Sequence, residues 1–250
     1  MVISPVDLLV FGPHPDDLEI GIGGTVAKHV TMGLSVGLVD LTQGEMGSNG
    51  TVEERLAEAE EARTVLGAAW RTNLRWPDRA IGSTPDHALA ATELIRRVRP
   101  KAIALPYWSD RHPDHVAASN VLTDAIFDAG LRRFRAEGEP WKPEMMSYYF
   151  INESTEPSFV VDVTDQYETK RRALACHKSQ FNPSTAGGVQ TRLTSPRFKT
   201  LIESRDAQFG VLAGVDFAEG FVLREPVLRP HLLREWRVQK DPPSTTKSQS

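Results

Sequence analysis

Two short polar clusters hold the side chains best suited to chemistry in this 250-residue chain. The first is HPDD at 14–17, and the second is RHPDH at 111–115. Imidazole nitrogen and carboxylate oxygen are both good zinc ligands, and a catalytic zinc keeps three protein ligands with one position for water. The two clusters together therefore favour a divalent metal site with hydrolytic chemistry.

Three residues of these clusters form the predicted ligand set. His14 and Asp17 are three positions apart on a tight loop and can reach one ion together. His115, from the second cluster, completes the set of three ligands. Such nitrogen and oxygen donors accept Zn²⁺, Fe²⁺ or Co²⁺, and we expect Zn²⁺ as the cofactor.

The remaining polar residues of the clusters suit acid–base catalysis. Asp16 is free to act as a general base on water beside the metal. His112 can stabilise an oxyanion or donate a proton, and Asp114 is the predicted partner that orients it. The three predicted catalytic residues are therefore Asp16, His112 and Asp114.

Each cluster alone has a simpler interpretation, in which an Asp caps the next helix and Pro occupies its first turn. Two clusters that share the sequence His-Pro-Asp, each following an apolar run, are harder to explain as two caps. We therefore favour the metal site over a pair of helix caps.

The clusters follow two apolar segments that read as buried strands, VDLLVFG at 6–12 and KAIALPY at 101–107. In a parallel sheet the carboxyl ends of all strands lie at one edge, where ligand crevices form. We therefore expect the two clusters to meet at that edge, although they are far apart along the chain.

Strands and helices alternate along most of the chain, which predicts an α/β, Rossmann-like fold with a mainly parallel sheet and helices on both faces. We expect a single domain at 1–238 and a disordered tail at 239–250. GIGG at 21–24 lacks the spacing of a dinucleotide-binding loop and is better explained by close packing of a helix on the sheet. The other predicted elements are strands at 35–42, 72–76, 145–151 and 158–164, and helices at 25–33, 51–67, 85–99, 115–130, 165–181 and 195–214.

Composition excludes several classes of protein. A net charge of −4 gives no basic stripe for nucleic acid or an anionic membrane surface. The single cysteine, Cys176, rules out an internal disulfide or a thiolate-only metal site. Because there is no signal-peptide pattern and no apolar run near the roughly 18 residues that span a bilayer, we expect a cytoplasmic protein.

The motifs PHPDDLEIGIGGT, LTQGEMGSNGT, RLAEAEEA, LGAAW, PDR and RHPDHVA resemble the LmbE/PIG-L superfamily of metal-dependent N-acetylglucosaminyl deacetylases. The resemblance extends over residues 6–228. The segments AIFDAGLRRF, SFVVDVT, HKSQF and AEGFVLREPVL look like the bacillithiol-biosynthesis branch, which removes acetate from N-acetylglucosaminyl-malate. The resemblance gives no role to HKSQF, at 177–181.

The resemblance implies the same zinc ligands, with Asp16 as the base and His112 assisting at the oxyanion or the leaving amine. It also implies that Arg55 and Asp78 hold sugar hydroxyls and that Arg111 meets the substrate near the metal, where we assign it to the malate carboxylates. The partners implied are a small sugar substrate and further copies of the chain, as in a homo-oligomer such as a hexamer.

Three alternatives stay open. The substrate could be another conjugate of N-acetylglucosamine, such as a chitooligosaccharide, a GlcNAc-inositol or an antibiotic intermediate. Two histidines and one carboxylate also describe a non-haem Fe(II) oxygenase, although that chemistry gives no task to Asp16. A non-catalytic sugar-binding module is the third, but it would be expected to have lost the base or a ligand.

Overall fold

A computed structural model describes residues 3–182 and 188–228. The predicted tail at 239–250 and the end of the predicted domain, 229–238, lie outside these residues. The strands are β1 (Leu8–Gly12), β2 (Val36–Thr42), β3 (Trp70–Trp76), β4 (Ala102–Pro106), β5 (Met145–Tyr149), β6 (Phe159–Asp162) and β7 (Ala218–Val222). The helices are α1 (Asp17–Thr31), α2 (Val52–Leu66), α3 (Pro85–Val98), α4 (Pro113–Ala129), α5 (Tyr167–Cys176), α6 (Lys178–Phe181) and α7 (Pro196–Ala213), with a 3-10 turn at Thr164–Gln166.

The described strands form one sheet of seven in the order β3-β2-β1-β4-β5-β7-β6. The first five in this order pair in parallel, and β7 runs antiparallel to both β5 and β6. The predicted α/β fold with a mainly parallel sheet is confirmed. Because β1 and β4 are direct neighbours, their carboxyl ends lie side by side.

Burial on both faces explains the apolar runs of the central strands. Every residue of β1 and of β2 is buried, and two large apolar clusters lie on opposite faces of the sheet. Thr51 begins α2 with a capping box to Glu54, and Gly67 ends it in the left-handed conformation. Local sequence signals therefore set the bounds of α2, as predicted.

Helix α1 begins at Asp17, eight residues before the predicted start, so the GIGG segment lies inside it. A side chain at Gly21 would collide with the ring of Tyr149, and a Cβ at Gly24 would lie 2.8 Å from Cβ of Val163. The glycines thus permit close packing of the helix, which confirms that interpretation. The predicted helix at 165–181 is interrupted at His177, whose ψ of 60° is not helical.

No helix among residues 3–182 and 188–228 is long and apolar enough to cross a membrane.

Candidate active site

The two polar clusters meet at the carboxyl edge of the sheet. Asp17 Oδ2 lies 3.0 Å from His14 Nδ1 and 3.2 Å from His115 Nε2, and all three side chains are buried. One carboxylate oxygen therefore lies between two imidazoles that come from different strand ends. The predicted convergence of the clusters is confirmed.

Asp16 occupies the cap position of α1, yet its side chain makes no capping hydrogen bond. Its φ of 142° is unusual for a residue with a side chain, and such strain concentrates at functional sites. The carboxylate is buried, and its Oδ2 has no hydrogen-bond partner within the described part of the chain. Burial raises the pKa of Asp16 to about 6, which suits a general base near neutral pH.

Carboxylates surround the imidazoles and make the site attractive to a cation. Burial opposes protonation of His14, yet bonds to Asp114 and Asp17 raise its pKa well above the ordinary value. Burial likewise opposes protonation of His115, but Asp17 and Asp110 raise its pKa to about 9. Burial acts to raise the pKa of Asp17, and the two histidines outweigh it and hold that pKa well below its usual range. The carboxylates that raise the pKa of the two histidines would also attract a metal ion.

The site offers more donor atoms than the three predicted ligands. His14, His112 and His115 bring ligand atoms within 4.8 Å of one another, and so do His14, Asp78 and Asp114. Nitrogen and oxygen donors in this number fit a divalent first-row metal.

Two residues that follow strands β4 and β5, Asp110 and Asn152, hold the imidazole of His115 in place. Asp110 Oδ1 lies 3.1 Å from His115 Nδ1, and it accepts a hydrogen bond of 3.0 Å from Asn152 Nδ2. A carboxylate on the second nitrogen of an imidazole fixes the ring for metal binding. Sequence reasoning missed Asn152. Its only signal is its position just beyond β5, the next parallel strand.

The partner predicted for His112 is corrected by the structure. The Asp114 carboxylate accepts hydrogen bonds from the backbone N–H and Nη1 of Arg79, at 2.8 and 3.0 Å, and lies 3.3 Å from His14 Nε2. Only the backbone N–H of Asp114 reaches His112, donating to its Nδ1 at 3.2 Å. His112 therefore caps α4, because the rigid start of that helix aims this N–H at the ring.

The hydrogen bond from the backbone N–H of Asp114 determines which ring nitrogen of His112 carries the proton. A ring nitrogen that accepts a hydrogen bond in neutral imidazole leaves the proton on the other nitrogen, so Nε2–H is the donor. Burial, together with His14 and His115, lowers the pKa of His112 and favours the neutral ring. His112 is thus set to donate a hydrogen bond from Nε2 in the site.

Arg55, predicted to hold sugar hydroxyls, is buried and makes several protein contacts. Its guanidinium donates to the carbonyl of Gly44 at 2.7 Å and to that of Pro15 at 3.1 Å, and lies 3.6 Å from Asp16 Oδ2. It also lines the cavity that opens over the polar cluster. The structure places Arg55 beside the predicted base, between the base and the loop that follows β2.

Asp78, the other predicted sugar-binding residue, is within reach of the predicted ligands. Its Oδ1 lies 3.3 Å from His14 Nε2, and its Oδ2 accepts a hydrogen bond from the backbone N–H of Met46 at 3.1 Å. Sequence reasoning missed Arg79, the next residue, which has a positive φ of 66° and pairs with Asp114. Its signal was its place in the PDR motif.

The cavity over the cluster has a volume of about 260 Å³ and is lined by the predicted residues His14, Asp16, Asp17, Arg55, Asp78, Arg111, His112 and His115. Two loop segments form further walls at its mouth. One consists of Met46, Gly47 and Ser48, and the other of Thr191, Arg192 and Leu193. Both walls lie on loops, where side-chain periodicity gives no signal.

A layer of buried charge lies beneath the first turn of α1. Arg71 from β3 donates to Asp40 of β2 and to Glu19 of α1, each at 2.7 Å. His177 Nε2 lies 3.1 Å from the other oxygen of Glu19. Although burial acts against it, Arg71 and His177 lower the pKa of Glu19 to about 2. The HKSQF segment thus packs against the helix that bears the predicted base.

Comparisons with known proteins place the chain among deacetylases. The family model described as PIG-L, GlcNAc-PI de-N-acetylase, matches residues 9–126. The conserved protein TT1542 from Thermus thermophilus is 39% identical, with a TM-score of 0.83 over 93% of this chain and 100% of that one. The diacetylchitobiose deacetylase of Thermococcus kodakarensis is 29% identical over 85% of this chain and 81% of its own length. A 1D-myo-inositol 2-acetamido-2-deoxy-alpha-D-glucopyranoside deacetylase of Rhodococcus opacus is 26% identical over 72% of this chain and 83% of its own. The chain belongs to the PIG-L superfamily and is an enzyme of its deacetylase class.

Proposed function

We propose that this protein is a zinc-dependent hydrolase that removes acetate from an N-acetylglucosaminyl conjugate. One observation carries the proposal above the others. Asp16 is a buried carboxylate without a hydrogen-bond partner on Oδ2 in the described residues, and its neighbour Asp17 lies between two imidazoles. Metal-assisted amide hydrolysis requires a general base next to the residues that bind the metal, so that the attacking water can be deprotonated there.

His14, Asp17 and His115, whose side chains meet at Asp17 Oδ2, would hold the ion, and Asp78 and Asp114 are further donors close to His14. The convergence of these donors and the negative potential around them fit a divalent cation. When bound, the ion supplies Lewis-acid polarisation of the acetamide carbonyl and makes water easier to deprotonate.

The chain's own residues then account for the proton transfers. Asp16 accepts a proton from water as the water oxygen attacks the acetamide carbon. His112 donates a hydrogen bond from Nε2 to the developing oxyanion, and a preorganised donor of this kind contributes about 3 kcal/mol. The C–N bond breaks as the amine nitrogen takes up the proton that Asp16 accepted from water, and the products are acetate and the free glucosamine.

The charge at the mouth of the cavity favours an anionic aglycone. Arg111 and Arg192 are exposed and line the cavity, so two guanidinium groups are available to a carboxylate-bearing substrate. We therefore propose N-acetyl-alpha-D-glucosaminyl L-malate, the substrate of bacillithiol biosynthesis, as the preferred substrate. The named relatives favour chitobiose or a GlcNAc-inositol as the alternatives.

Amine release from N-acetylglucosaminyl-malate, diacetylchitobiose and N-acetylglucosamine tests the proposal, with metal-free protein, zinc-loaded protein and the Asp16→Ala variant. Preference for the malate conjugate, lost on chelation and in the variant, is the expected result. Better turnover of the other sugars would retain the deacetylase and remove the malate assignment. If zinc-loaded protein releases no amine, the hydrolase proposal fails, and oxygen uptake by Fe(II)-loaded protein tests the oxygenase.

A further inference from the structure

The side chain of Asn49 joins the two walls of the cavity mouth. Its Nδ2 donates to the backbone carbonyl of Val189 at 2.8 Å, and its Oδ1 accepts from the backbone N–H of the same residue at 2.7 Å. The amide thus pairs with a backbone unit as one extended strand pairs with another. Both polar atoms of this buried side chain are therefore used within the protein.

A second contact holds the backbone of Asn49. Gln180 Nε2 donates to the Asn49 carbonyl at 2.7 Å and to Ser179 Oγ at 3.0 Å. Ser179 is in turn fixed to α2, since its backbone N–H and its hydroxyl donate to the two carboxylate oxygens of Glu58 at 2.7 and 2.6 Å. The loop is thereby attached to the body of the protein through α6.

Glycine permits this close approach. Gly50 has a φ of +74°, and a Cβ there would lie 2.7 Å from Ser179 Oγ. A side chain at this position would push the loop away from α6 and would strain the backbone. The glycine next to Asn49 therefore belongs to the same arrangement.

We propose that Asn49 is a positioning residue that sets the width of the cavity mouth and so selects the aglycone that the enzyme accepts. The wall at 46–48 immediately precedes Asn49, and the wall at 191–193 follows Val189 by two residues. The hydrogen-bond pair fixes the two walls relative to each other. In the proposed reaction the acetamide group reacts at the ends of β1 and β4. Arg55 holds the loop at Gly44 through a separate hydrogen bond, so we expect the chemical step not to depend on the latch formed by Asn49, Val189 and Gln180.

The selection of substrates by this latch rests on the proposed deacetylase function, whereas the latch itself does not. Hydrogen exchange therefore tests it without any substrate. In Asn49→Ala, we expect amides in peptides covering 44–51 and 188–195 to exchange about tenfold faster, as the loss of a hydrogen-bond pair allows. Peptides from α1 and α4 should exchange as in the wild type. If exchange in both loops of the variant is unchanged, the proposed latch is wrong, whatever the activity of the variant.

Kinetics on a series of N-acetylglucosamine glycosides tests the selection. In Asn49→Ala, kcat for free N-acetylglucosamine should stay within about twofold, while KM for the preferred glycoside rises about tenfold. Discrimination against bulkier aglycones should fall by a similar factor. Asn49→Asp keeps the size of the side chain and loses the Nδ2 donor, so it should change KM in the same direction. Asn120→Ala, the same substitution at an exposed position of α4, should change nothing.

Two outcomes separate the possible failures. An equal fall in kcat for every glycoside, with unchanged ratios of KM, would overturn selection by Asn49 and leave the deacetylase intact. No amine release by the wild type on any glycoside would remove the proposed function, and the exchange experiment would then decide the latch alone.

Discussion

Arg55 Nη2 lies 3.6 Å from Asp16 Oδ2, and the same guanidinium donates to two backbone carbonyls. One of these carbonyls belongs to Pro15, and the other belongs to Gly44 on the loop after β2. Arg55 therefore holds the strained backbone at Asp16 and anchors the loop that forms one wall of the cavity. This explains why an arginine on a solvated acidic helix is buried.

Arg55→Lys should lower kcat/KM by about 10- to 100-fold while the protein stays folded. An ammonium group is a compact charge and cannot span both carbonyls and the carboxylate as the planar guanidinium does. A small displacement of a catalytic group is enough for a loss of this size. Steady-state kinetics measures the loss, and circular dichroism verifies the fold. Arg63→Lys, in the last turn of the same helix, is the matched control and should retain full activity.

Asp16→Asn should reduce kcat by about 10²- to 10⁴-fold, the contribution of a positioned general base. The amide has nearly the same shape but cannot accept the proton from water. Metal content should stay at the wild-type level, because the predicted ligands are His14, Asp17 and His115. Single-turnover deacetylation together with metal analysis measures both quantities. If the variant keeps wild-type kcat, another group is the base.

The location of the two polar clusters could be predicted from the sequence, because strand direction decides where segments of the chain meet. Several contacts within the site could not be predicted. Apolar runs identify β1 and β4, and their parallel course brings His14 and His115 together whatever the loops do. The Asp114 contact with Arg79 could not be foreseen, since it depends on a left-handed turn at a non-glycine residue. Asn49 was missed for a similar reason: its partner is a backbone unit, and a backbone unit has no sequence signature.

Removal of the metal should abolish deacetylation, and added Zn²⁺ should restore it. His115→Ala should bind less zinc and should gain less in Tm on zinc addition, because the stabilisation by a ligand rises with the ratio of its concentration to its Kd. Inductively coupled plasma analysis and thermal unfolding with and without zinc check the two effects. The control His29→Ala, whose Nδ1 contacts its own helix at the Thr25 carbonyl, should bind zinc normally. Equal zinc content in the two variants would remove His115 from the ligand set.

Asp110→Asn should weaken zinc binding by about 10- to 100-fold, the usual cost of losing a carboxylate behind a ligating histidine. The carboxylate holds His115 through Nδ1 at 3.1 Å and is itself held by Asn152. Although burial opposes it, the bond to His115 lowers the pKa of Asp110, so the carboxylate is charged at neutral pH. Competition with a zinc-binding dye measures the affinity. Asp165→Asn, in the 3-10 turn remote from the site, supplies the comparison and should bind as the wild type does.

Lys170→Met should lower the free energy of unfolding by about 3–5 kcal/mol, the cost of leaving a buried charge without its partner. Lys170 is fully buried, and its Nζ donates to Asp206 at 2.7 Å and to Glu219 at 2.6 Å. Glu219 also accepts the backbone N–H groups of Gly24 and Thr25, within the helix that begins at the site. Urea denaturation measures the loss. Lys101→Met breaks an exposed pair with Asp7 and should cost much less, because solvent screens the pair. Similar losses in the two variants would mean that the buried pairs contribute no more than surface ones, and that apolar packing alone holds α1 against β7.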